Sequence, residues 1–151
     1  MSALRDNTAG SEILRANMRD LEMCAEQLRF SLNKCAVLTP PFSPEALESI
    51  EALTSRFART ADVFTHKAVK SLMLYLQEDT VTFVDTTNFL EKLGIAESAN
   101  KVVEIRELRN EIAHEYAERE TNELLDACRQ LSPTLFTLIA SLQTYVNDRL
   151  G

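Results

Sequence analysis

The stretch LRANMRDLEMCAEQLRFSLNKC, residues 14–35, decides the fold. Its apolar residues fall at Leu14, Met18, Leu21, Ala25, Leu28, Leu32 and Cys35, in steps of three and four. That spacing returns each side chain to one face of an α-helix, so the stretch is an amphipathic helix with one apolar stripe. Residues 1–10 are polar and include Gly10, which reads as a frayed lead-in, with Ser11 as the N-cap. The domain proper is then expected over 11–151.

The same period continues downstream. In TPPFSPE, residues 39–45, Ser43 is placed to cap, Pro44 suits a first helical turn and Glu45 favours the positive end of the helix dipole. A second stripe follows at Leu47, Ile50, Leu53 (or Thr54), Phe57, Ala61, Phe64, Ala68, Leu72 and Tyr75. A straight helix from Pro44 to Gln77 would span roughly 50 Å, long for a small domain, so a kink or an early end is expected. EDTVTFVDTT, residues 78–87, reads as a connector, with Asp85 or Thr86 capping a short helix that Gly94 closes. A further helix is expected from about Glu97 through residue 116, and a last one from a cap at Thr121 toward Leu150. Pro133 is expected to kink or split that last helix.

Composition agrees with helix. The 151 residues include only 3 glycines and 4 prolines, fewer turn residues than a sheet-rich chain needs. One domain is expected, an antiparallel bundle of four or five helices. Its stripes carry more apolar surface than one small bundle hides, which favours a dimer. The net charge of −7 opposes a broad basic face for duplex nucleic acid or an anionic membrane, but allows a small arginine site. Cys24, Cys35 and Cys128 form an odd set without CxxC spacing and read as reduced, buried small hydrophobes rather than metal ligands. The amino end lacks the apolar core of a secretory signal and no run approaches a membrane span, so a cytoplasmic protein is expected.

Against this plain background stands LRNEIAHEY, residues 108–116. With Ile105 at zero on a helical wheel, Leu108 falls near about −60°, Ile112 near −20°, Tyr116 near +20° and Arg109 near +40°. Arg109 and Tyr116 therefore share the apolar side, while glutamates 104, 107, 111 and 115 take the opposite arc. Arg106 projects about 60° from Arg109, and Asn110 and His114 stack four residues apart. Two guanidiniums beside an imidazole suit a phosphate: arginine clamps its oxygens in a bidentate fashion and histidine moves protons near neutral pH. Metal-free RNA cleavage needs the same pair, a proton-transfer group and a cation for the charged transition state. Arg109 and His114 are about 140° apart on an ideal helix, so either the helix unwinds before His114 or two chains pool their residues. The same residues also admit a structural reading. In it Arg109 pairs with an internal carboxylate, a carbonyl satisfies His114 and Tyr116 is an ordinary ring. His66, in VFTHKAVK, is expected on a solvated flank without partners.

RNEIAHEY resembles the Arg-x4-His-x-Tyr signature of HEPN domains, especially the toxin subunits paired with minimal nucleotidyltransferase antitoxins. The resemblance rests on Arg109, Asn110, His114 and Tyr116, preceded by Leu108, and on the helical layout over about 11–150. It implies a homodimeric helical bundle whose interface cleft is lined by Arg and His from both chains. It also implies a metal-independent endoribonuclease without cofactor, in which Arg109 stabilises the transition state and His114 is the general acid or base. Asn110 would orient the phosphate or the histidine, and Tyr116 would receive AMP from the partner nucleotidyltransferase, silencing the toxin. Some proteins with this signature are non-catalytic nucleotide- or substrate-binding partners of nucleotidyltransferases, and that is the alternative expectation.

Overall fold

A computed structural model describes residues 2–78, 82–114 and 120–150. These form helices α1 (Ser2–Cys35), α2 (Pro44–Asp62), α3 (Lys70–Tyr75), α4 (Phe83–Lys92), α5 (Ala99–Ala113) and α6 (Thr121–Leu150). A π-helical segment, Val63–Val69, joins α2 to α3 without a break, so five helical rods pack together. No strand occurs among the described residues. α1 lies against α2, the π segment, α3 and α6, and α5 against α2, α4 and α6.

Most stripe residues read from the sequence lie in the core, together with residues outside those stripes such as Leu90, Val102, Leu125 and Leu142. Leu14, Leu21, Leu28 and Cys35 of α1 are fully buried, as are Leu53, Phe57, Phe64, Ala68 and Leu72 along the second rod. At the head of that rod Ala46 is buried and Leu47 exposed, so the stripe starts one residue earlier than its spacing suggested. Ser43 does cap α2: its hydroxyl accepts the Ala46 N–H at 3.1 Å, with Pro44 in the first turn.

Several boundaries differ from expectation, each for a local reason. α1 begins at Ser2, so Ser11 lies inside the helix and its hydroxyl donates to the Thr8 carbonyl instead of capping. Gly10 does not interrupt the helix, because it faces α3: a Cβ there would stand 3.7 Å from the Tyr75 ring. Within the second rod lies a π segment, Val63–Val69, where hydrogen bonds reach one residue further. The Lys67 carbonyl in this segment accepts the Ser71 hydroxyl at 2.8 Å and the Asn17 side-chain amide at 3.4 Å. The rod ends with Gln77 at φ 58°, the left-handed position that closes a helix, where the Glu78 N–H reaches the Met73 carbonyl.

The N-cap of α4 lies three residues before Asp85 and four before Thr86, the two caps expected. Thr82 is the N-cap and Asp85 is its N3 partner in a reciprocal capping box. Gly94, at φ 76°, closes α4 as expected, with the Ile95 N–H on the Leu90 carbonyl. α6 includes Thr121 as its first residue and does not split at Pro133. An interior proline costs about 3 kcal/mol. The fully buried Ser132 and Leu135 and the nearly buried Leu138 keep both sides of Pro133 packed into the core.

Two of the three cysteines are buried, as their reading expected. All three are free; Cys35 and Cys128 are buried and Cys24 is half-buried. Burial, with a smaller contribution from nearby Cys35, pushes the Cys128 thiol up to about 12, so it stays protonated and unreactive at neutral pH. No described helix is long and apolar enough to cross a membrane.

Candidate functional site

α5 carries the residues singled out in the sequence, and they fall into two places. Ile105 and Leu108 are buried and anchor the helix to the core. Arg109, on the edge of that face as the wheel placed it, is half-buried. Its Nε donates to Asp62 Oδ1 at 2.7 Å and its Nη2 to Asp62 Oδ2 at 2.9 Å. This is a planar two-point ion pair between α5 and the last residue of α2. The hydrogen bond to Asp62 raises the Arg109 pKa above its already high ordinary value, against a smaller opposing effect of burial, so the group stays charged. The remaining Nη1 lies 3.5 Å from the Asn110 side-chain carbonyl. Within one chain, then, Arg109 pairs with an internal carboxylate, as its structural reading anticipated.

The ion pair stands at one side of a cleft of about 220 Å³ between the α2–π junction and α5. Asp62, His66, Phe83, Arg106, Arg109 and Asn110 line it, with Ala61, Thr65 and Ile105. Arg106 lies over the Phe83 ring at 4.1 Å from its centroid. A guanidinium over an aromatic face is attracted by the ring and held in place there. Arg106 and Asn110 are both exposed.

His114 is not among the residues that line this cleft. α5 ends at Ala113, and His114 follows in extended conformation (φ −80°, ψ 117°). Its backbone N–H is shared between the Asn110 and Glu111 carbonyls, and its side chain is exposed. The helix thus ends just before His114, one of the two ways foreseen for it to approach Arg109. Even so, the imidazole does not enter the cleft of its own chain. Tyr116 lies outside the described residues.

Asp62 was not picked out in the sequence, and His66 was read there as a histidine without partners. Asp62 ends α2 next to the core residue Ala61, and its partner is 47 positions away. An acidic residue at the rim of an apolar stripe is the one signal that pointed to a buried cation. His66 is solvated as expected, but it has company: it faces the same cleft as both arginines. The π segment, a form that concentrates at functional sites, carries it there.

Since the Asp62–Arg109 pair is about one-third exposed on both sides, its contribution to stability is modest. A double-mutant cycle over Asp62→Asn and Arg109→Ala, read by urea denaturation, is expected to give a coupling of about 0.5–1 kcal/mol. A coupling of several kcal/mol would mark the pair as a principal structural tie between α2 and α5.

Fold and cleft together define an all-helical bundle with a small cationic cleft between two of its rods. Set beside protein-family models, curated proteins and solved structures, the chain matches none of them.

Proposed function

We propose that the chain is a metal-independent endoribonuclease of the HEPN type, acting as a homodimer and paired with a minimal nucleotidyltransferase as a toxin with its antitoxin. The observation that carries this reading is the sequence motif Arg109-Asn110-x3-His114-x-Tyr116, whose Arg109 and Asn110 lie on α5 in a cleft with cations that suit a phosphate. In this reading two chains meet so that His114 of each stands beside Arg109 of the other. The arginine, held rigidly by Asp62, presents Nη1 to the phosphodiester and stabilises the charge of the transition state. The histidine moves the 2′-hydroxyl or leaving-group proton. Asn110 orients the phosphate, Arg106 adds a second cation, and AMP on Tyr116 adds a bulky anion beside the pair and shuts the site.

A second reading has its own support. Within one chain Arg109 is already paired and His114 stands outside the cleft, which suits a non-catalytic module that binds a nucleotide or a nucleotidyltransferase substrate. Purified protein incubated with RNA and a chelator separates the two. The nuclease reading expects cleavage that disappears in His114→Ala. Retained nucleotide binding with no turnover in the wild type supports the binding module. Equal cleavage by wild type and variant removes the catalytic role of His114.

A further inference from the structure

His66 takes no part in the reading above, yet it faces the one cleft that holds both α5 arginines. We infer that a single chain builds a phosphate-group site in this cleft, in which His66 and Arg106 are the anion-holding side chains. The charge balance favours it. Two guanidiniums line the cleft against one carboxylate, in a chain whose net charge is −7. That carboxylate, Asp62, has both oxygens engaged by Arg109, so it is neutralised within the wall. Arg106 lies over the Phe83 ring at 4.1 Å from its centroid, a cation–π contact that holds the guanidinium at the cleft.

Geometry also sets the size of the ligand. Asp62 ends α2 and His66 is four residues on, inside the π segment, so the second rod supplies the imidazole while α5 supplies both arginines and Asn110. The anion is gripped from two elements rather than from one helix face. At about 220 Å³ the cleft is smaller than the roughly 300–1,000 Å³ of pockets that enclose a whole ligand. That volume has room for a tetrahedral phosphate group. The phosphate is either free inorganic phosphate or the terminal phosphate of an oligonucleotide. The site shares Arg106, Arg109 and Asn110 with the nuclease reading and deepens it by adding His66, but it needs neither a second chain nor bond cleavage, so phosphate binding and RNA cleavage test the two separately.

The test is phosphate titration of the full chain followed by NMR of the imidazole resonances, with sodium chloride at matched ionic strength as control. The chain has two histidines, so His66→Gln assigns the signals. The expected result is a saturable shift of the His66 resonances by inorganic phosphate but not by chloride. His66→Ala and Arg106→Ala are each expected to weaken phosphate binding about tenfold, read for all variants by isothermal titration calorimetry, while circular dichroism stays unchanged. A short RNA carrying a 5′-phosphate that binds tighter than its unphosphorylated form assigns the site to a nucleic-acid end. Equal binding of the two RNAs assigns it to free phosphate. No saturable shift of His66, or His66→Ala and His66→Gln both binding phosphate like the wild type, would overturn the site. Loss of RNA cleavage in His114→Ala bears on the nuclease reading alone.

Discussion

Replacing His114 with alanine is expected to lower RNA cleavage by about 10²- to 10⁴-fold, the usual contribution of a positioned acid–base group. The fold should not change. His114 sits one residue past α5 with an exposed side chain, and its structural contacts are made by its backbone N–H, which alanine retains. Far-UV circular dichroism and denaturation midpoint should therefore match the wild type while the rate collapses. Arg109→Ala should differ in a diagnostic way. It removes the cation and also leaves Asp62 without its partner, so a similar rate loss comes with a small loss of stability. A His114 variant that cuts RNA at the wild-type rate would leave only the binding readings.

The largest effect on stability is expected in the core. Leu28→Ala and Phe57→Ala should each cost about 2–5 kcal/mol, read from urea or thermal denaturation. Both side chains are fully buried, on α1 and α2, which pack directly against each other. Neither substitution leaves a polar group unpaired, so the loss is that of apolar burial plus the cavity left behind. Phe57 also lies five residues before Asp62 on the same helix. Loosening α2 at this point should disturb the cleft wall, so Phe57→Ala should also broaden the His66 resonances more than Leu28→Ala does. Midpoints unchanged by both substitutions would contradict the assignment of these stripes to one core.

The helical rods were legible because their apolar residues recur every three or four positions without interruption, from Leu14 to Cys35 and from Ile50 to Leu72. Arg109 at the edge of the buried face was legible for the same reason, since one wheel fixes its direction relative to Ile105. What escaped was decided by contacts between distant residues. Ser11 has the chemistry of a cap, but α1 continues past it to Ser2, with Gly10 set against Tyr75. Asp85 has the chemistry of a cap too, and serves instead as the third residue behind Thr82. The length of the second rod suggested a kink, while nothing in its spacing marked Val63–Val69 as the π segment. Asp62 escaped because its pairing with Arg109 exists only once α2 and α5 are packed together, and His66 was read without the cleft that this packing creates.

One mixing experiment bears most directly on whether Arg109 and His114 act across two chains. Arg109→Ala and His114→Ala chains, each inactive alone, are unfolded, combined in equal amounts and refolded together, and RNA cleavage is measured with a chelator present. If each site draws arginine from one chain and histidine from the other, mixed dimers hold one intact site in two, and random assortment restores about a quarter of wild-type activity. Two inactive chains that stay inactive after mixing, or a protein that sediments as a monomer at every concentration that cuts RNA, would contradict the shared site.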